Sequence, residues 1–211
     1  MSQHVHKMIQ DGIRGGMDYA QYISMMNDLV TRGQTTGTDQ SEERIANTKL
    51  NAHRIRRIEK TTTIPEEMLR VFHKLPEKQV WLVLLESWCS DGAQAIPILY
   101  KIASAAPKID LRLILRDEKP QLMDCFLTNG TRSIPKLIIT NEEGMIMYEW
   151  GPRPKTASKM VAEYKEQHGK VDGRLKKELQ MWYNRDGGKT MVDELIAVSY
   201  THLTLPTIYS V

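Results

Sequence analysis

The sequence predicts an α/β protein, a central mixed sheet flanked by helices, with a helical extension before it and extra helices behind it. Three stretches carry that expectation. Trp81 to Leu85 is an unbroken apolar run, too short for a buried helix and suited to a central strand covered on both faces. Ile109 to Leu115, IDLRLIL, alternates well enough for a second strand. Lys136–Thr140 and Met145–Trp150 flank Asn141-Glu-Glu-Gly144, which reads as a hairpin.

The other elements follow in chain order. Residues 1–16 are polar, with glycines at 12, 15 and 16, and are expected to be disordered; Met17 is an equally natural start. Asp18 can cap a helix whose apolar positions Tyr19, Tyr22, Ile23, Met26 and Leu29-Val30 recur every three or four residues, closed by Arg32-Gly33. After a Thr/Gly-rich loop, Ser41 opens a long helix to Lys60, with Glu42-Glu43 in its first turn as the dipole prefers. Residues 17–63 thus form a helical extension. Such helices need tertiary packing, so Tyr22, Met26, Ile45, Ala52 and Ile55 should dock on the core and leave the basic turn 53–60 in solvent. Ile64–Leu75, with Pro65 at its start, is a helix leading into the central strand. Beyond the strand, Ser90 and Asp91 are capping types, and Ala93–Ala105 reads as a helix interrupted at Pro97. Pro120–Thr128, stopped by Asn129-Gly130, and Lys155–His168 are further helices. Residues 64–170 then run β-α-β-α-β-β-α. Helices over about 171–185 and 189–197 follow. Val198–Thr207, VSYTHLTLPT, matches the translation of a transposase adapter used in DNA library preparation, and 198–211 are expected to be a disordered artefact that packs on nothing.

At 211 residues, 41% hydrophobic and 26% charged, the chain suits one ordinary domain plus an extension. No apolar run approaches the ~20 residues of a membrane span, and the N-terminus lacks a signal-peptide core. Two cysteines far apart in sequence give neither a disulfide framework nor a metal cluster. A reducing cytoplasm is the expected compartment, with no cofactor and no metal. A formal charge of +3 is too small to argue for nucleic acid. The basic residues Arg44, Lys49, Arg54, Arg56, Arg57 and Lys60 read as a solvated helix face without interleaved aromatics.

WCSDGAQ, Trp88 to Gln94, resembles the active-site segment, roughly WCGDAAQ, of a bacterial thioredoxin-like family. RSIPKLIIT, Arg132 to Thr140, falls where thioredoxin-like proteins carry a cis-proline before a strand. WGPRP, Trp150 to Pro154, is a third landmark, and the likeness extends upstream through TTGTDQSE (35–42) and TKLNAHRIRRIEK (48–60). It covers about Met17 to Ala197 and implies a thioredoxin-like fold.

Cys89 is carried from the end of a buried strand to the start of a helix, where unpaired N–H groups and the dipole favour a thiolate. The expectation is a partly exposed thiol titrating below the ~8.5 of a free one. Gly92 stands where a dithiol oxidoreductase has its resolving cysteine, so the site is monothiol. Release of a mixed disulfide would need glutathione, another protein thiol or Cys125, which is a candidate resolving thiol only if its Cα comes within ~7 Å. The resemblance makes Ile134–Pro135 a cis bond, which would turn the Ile134 backbone towards an extended substrate beside Cys89. Trp88 at the rim, Trp150 as a stacking wall, Arg153 as an anion contact and Arg132 are the other candidate substrate contacts. Glu86 and Asp91 are candidate proton acceptors; thioredoxins proper have a buried acid six residues before the first cysteine, and here that position is Val83. The reading is a monothiol thiol–disulfide oxidoreductase or redox sensor acting on protein or low-molecular-weight thiols and disulfides. The alternative is a non-enzymatic thioredoxin-fold interaction module.

Overall fold

The computed structural model describes residues 3–204. Its sheet has four strands in the order β2-β1-β3-β4. The central β1 (Gln79–Leu85) is parallel to β2 (Ile109–Leu115) and antiparallel to β3 (Lys136–Asn141), which pairs antiparallel with β4 (Ile146–Trp150). Every residue of β1 is buried, because helices cover both of its faces. Trp81, Val83 and Leu85 point into one apolar cluster, and Leu82 and Leu84 into the other. The mixed sheet flanked by helices agrees with the expected thioredoxin-like α/β fold.

On the first face lie α2 (Tyr19–Arg32), α3 (Glu42–Thr61), α4 (Glu66–His73), α5 (Ser90–Ala105) and α9 (Lys189–Thr204). A capping box starts α2: Asp18 Oδ1 accepts from Gln21 N at 2.8 Å, and Gln21 Oε1 accepts from Asp18 N at 2.9 Å. Tyr22, Met26, Ala52 and Ile55 are buried in the main cluster, with Ile45 half-buried. His53, Arg56, Arg57 and Lys60 stay exposed. The α5 helix begins at Ser90 and runs through Pro97 without a break.

The second face corrects the expectation for residues 1–16. They form α1 (Gln3–Gly15), whose Ile9 is fully buried, with Val5, Met8 and Ile13 packed beside it. These positions recur at helical spacing. The other helix on this face, α6 (Pro120–Asp124), is only five residues long, so α1 supplies cover that Leu82, Leu84 and Ile114 need. Polar composition hid this stripe. Met17 then bonds both ways with Leu113, at 2.8 Å each, sealing the outer edge of β2. The α6 helix stops well before Thr128, which instead turns back on Thr131 through paired backbone bonds.

The expectation for the C-terminal tail is also corrected where the tail is described. The α9 helix continues to Thr204, and Val198 and Ser199 are buried. No proline or glycine follows Ala197 before Pro206, and Val198 extends the apolar row of Met191 and Leu195. Residues 205–211 lie outside the described residues. The remaining helices, α7 (Lys155–His168) and α8 (Gly173–Asp186), make an antiparallel hairpin with an apolar cluster of its own: Ala157, Val161, Tyr164, Leu175 and Leu179. No helix among the described residues is long and apolar enough to cross a membrane.

Candidate functional site

Strand β1 ends in a turn, Glu86-Ser87-Trp88, that the extension holds in place. Ser87 is its hub. The Ser87 hydroxyl lies 3.0 Å from Thr35 Oγ1 and 2.9 Å from Thr48 Oγ1, and it accepts from Thr36 N at 3.0 Å. Ser87 N donates to Thr36 Oγ1 at 2.9 Å, and Asn51 Nδ2 donates to the Ser87 carbonyl at 2.8 Å. All five residues are buried, so every one of these groups needs a partner and finds it here.

Cys89 is the N-cap of α5. Its sulfur accepts from Gly92 N–H at 3.3 Å, and its thiol donates to the Ile134 carbonyl at 3.3 Å. The Ile134–Pro135 peptide is cis, as is Gly151–Pro152. The thiol is not the partly exposed, acidified group expected. It is 7% exposed, packed with Leu84, Met123, Phe126 and Ile134, and burial and the neighbouring Asp91 carboxylate push it up to about 12. The Gly92 and Asp91 N–H groups at the helix start and the Arg153 charge pull the other way and lose.

Asp91, in the first turn of the same helix, is the second buried group. Arg153 Nη2 meets its Oδ2 at 2.6 Å, and Tyr183 Oη of α8 donates to its Oδ1 at 2.8 Å. Burial raises its pKa, while Arg153 and Tyr183 oppose that rise. Arg153 arrives here because Gly151 presses on the Pro135 loop: a Cβ at Gly151, whose φ is +115°, would lie 2.2 Å from the Pro135 carbonyl oxygen. The α3 helix contributes from the other side, with Arg54 Nη1 bonding to Ser90 Oγ at 3.2 Å and to Asn51 Oδ1 at 2.9 Å.

Trp88 is gripped rather than offered. Arg44 of α3 stacks on its ring at 4.2 Å and Arg116 at 5.1 Å, while its Nε1 is buried without a partner. Glu86 is buried, its Oε1 accepting from Asp117 N at 2.9 Å and its Oε2 unpartnered, and burial raises its pKa. Trp150 is turned inward, its Nε1 bonded to Glu194 of α9 at 2.7 Å, so it forms no wall for a substrate beside Cys89. Arg132 is occupied at the surface by a bidentate pair with Asp124, 2.7 Å on each arm. Cys125 is a free, exposed thiol at the C-cap of α6, bonded to Gln121 O at 3.4 Å. Cys89, Asp91, Ile134, Pro135 and Arg153 are thus brought together. Among the described residues no three His, Cys, Asp or Glu side chains are grouped to hold a metal.

Sequence reasoning assigned no role to Ser87, Asn51 or Tyr183. For Asn51 the signal was an amide on the apolar face of α3, between Thr48 and Ile55. Tyr183 had none, since nothing local says where the far end of α8 points.

A cysteine capping the helix after a central strand, set against an X–Pro turn that opens β3, defines a thioredoxin-like protein. The family model described as Thioredoxin matches residues 37–165, well over half of the chain, and the chain belongs to that family. Among solved structures, the chain is similar to an HIV epitope scaffold, at 15% identity and TM-score 0.59 over 90% of this chain and 95% of that one. It is also similar to a protein of unknown function from Pseudomonas aeruginosa, at 15% identity and TM-score 0.57 over 88% of this chain and 99% of that one. Both likenesses concern the fold. No curated protein matches the sequence.

Proposed function

We propose that the chain is a monothiol thiol–disulfide oxidoreductase or redox sensor in which Cys89 exchanges with a protein or low-molecular-weight disulfide. The observation that carries this reading is the thiol's contact with the Ile134 carbonyl at 3.3 Å, beside Pro135 and with Asp91 in the same helical turn. In the exchange, the Cys89 proton passes to a base. The sulfur attacks a disulfide RS–SR, forming Cys89–S–SR and releasing RS⁻, which takes up a proton. A second thiol of the glutathione type then attacks the mixed disulfide, carries RS away as a new disulfide and returns Cys89 as the thiol. Asp91 is the nearest acid to serve as that base, and Gly92 leaves the second step to an outside thiol. At about 12 the thiolate fraction near neutrality is minute, so the arrangement described is a resting one. Partners of thiol or disulfide chemistry and a cytoplasmic setting belong to this same reading.

The test is incubation of the native protein with oxidised glutathione, followed by mass spectrometry. One glutathionyl group on Cys89, removed by reduced glutathione, is expected. A second reading, the non-enzymatic interaction module, draws on the burial of the same thiol. A Cys89 that stays unmodified while the fold is intact would favour it and overturn the first. Gly92→Cys sharpens the choice. A Cβ there meets only Cys89 Cβ at 3.5 Å, its Sγ at 3.6 Å and Ile96, all ordinary contacts. This variant should gain dithiol reductase activity that the parent lacks; no gain would mean that the missing second thiol is not the limitation.

A further inference from the structure

The α7–α8 hairpin is attached unlike any other helix pair around α5. Its apolar cluster is separate from both clusters that cover the sheet. What ties α8 to the body is polar: Tyr183 to Asp91 at 2.8 Å, Gln180 to Gln94 at 3.1 Å, Asn184 to Arg57 at 2.7 Å and Lys176 to Glu43 at 3.3 Å. A cavity of about 500 Å³ lies beneath its C-terminal end, between Tyr183 and Asn184 on one side and Ile58, Ala95 and Ile98 on the other. Both ends of the hairpin are pinned near the start of α9. Lys155 N donates to Glu194 at 2.7 Å. Gly188, with φ +87°, sits so close to α5 that a Cβ would fall 2.7 Å from Ile98 Cδ1.

We propose that this hairpin is a lid over the Cys89 turn, pivoting on its two pinned ends and latched by Tyr183 and Gln180 to the first turns of α5. Lifting it exchanges two exposed and two half-buried hydrogen bonds for bonds to water, each a modest net loss, and leaves its apolar cluster intact. Lifting α3 instead would strip Ile55 and the Ser87 network of cover. An open lid frees Asp91 from Tyr183 and lets water reach the start of α5, screening the Asp91 charge that opposes ionisation of Cys89, while α6 and Ile134 stay packed on the sulfur's other side. The lid rests on the reading of Cys89 as a reactive thiol, and it supplies the opening step that a resting, buried thiol requires. Such hinged covers move on the microsecond to millisecond scale.

The experiment is peptide-resolved labelling of Cys89 by iodoacetamide, well below the melting temperature, in the wild type, Tyr183→Phe, Gln180→Ala and the double variant. Phe72→Leu, which weakens the main core against Trp81 and touches none of the latch bonds, is the stability control. The lid predicts that each latch variant raises the labelling rate of Cys89 several-fold, that the double variant raises it further, and that Cys125 and the control are unmoved. An unchanged rate in the double variant, or an equal rise in Phe72→Leu, overturns it. Oxidised glutathione separates the two ideas. Faster labelling with no variant taking up glutathione keeps the lid and removes the exchange chemistry. Glutathionylation of the wild type with latch variants that label no faster does the reverse.

Discussion

Two helical pairs flank α5, and they are held by different physics. The N-terminal pair, α2 and α3, buries Tyr22, Met26, Ala52 and Ile55 in the same cluster as the central strand and threads Thr48 and Asn51 into the network around Ser87. The C-terminal pair, α7 and α8, keeps its apolar residues to itself and reaches the site through Tyr183, Gln180 and Asn184. One is part of the core and the other is fastened to it. The lesson is that added helices can complete a domain or cover it, and that the location of their apolar contacts tells which.

The largest effect should come from Ile55→Ala. That side chain is 1% exposed in the main cluster, and its truncation should cost about 2–5 kcal/mol of global stability, seen as one denaturant transition shifted for every probe. Leu179→Ala, in the hairpin cluster, should instead loosen residues 155–186 and leave the main transition nearly in place. Equal global losses would erase the distinction.

Asn51→Ala comes next. It strips the buried Ser87 carbonyl of its donor, and an unsatisfied buried acceptor costs about 1–3 kcal/mol. Gln180→Ala, which removes a partly exposed bond to Gln94, should change the melting temperature little. A larger loss from Gln180→Ala than from Asn51→Ala would reverse the roles of the two pairs.

The smallest effect is alkaline. Cys89 titrates at about 12 when folded and near ~8.5 when unfolded, so the folded state keeps a proton that the unfolded chain gives up. The stability this provides is complete below ~8.5 and is lost progressively as pH rises towards the folded value. Cys89→Ala should decline less than the wild type between pH 8.5 and 10, by roughly 1 kcal/mol at pH 9.5. The buried tyrosines Tyr19, Tyr22 and Tyr183, whose raised pKa values have the same sign, are present in both proteins and cancel in the comparison. Parallel curves would mean that the thiol is open to water in the folded state.

Much of this was legible in the residues. The apolar run of β1, the alternation of β2 and the Asn141–Gly144 turn report local periodicity, which survives in any fold that uses them. Cys89 and Pro135 could be paired because strand ends and helix starts fix where a side chain emerges. The state of the thiol could not be read: it turns on how much of α6, Ile134 and Asp91 closes over it, a sum of distant contacts. Trp150 misled because the direction of a side chain at the end of an edge strand depends on what lies beneath, here Glu194. The polar stretch 1–16 misled because composition averages away a stripe as thin as Val5, Met8, Ile9 and Ile13.

Native-state hydrogen exchange resolved by residue tests the contrast between the two pairs most directly. Amides of α3 over residues 45–58 should be protected as strongly as those of β1 over 81–85, since both open only by global unfolding. Amides of α8 over residues 175–186 should exchange faster than either, through opening of the hairpin alone. Protection of α8 equal to that of β1, or rapid exchange in α3, would contradict the account.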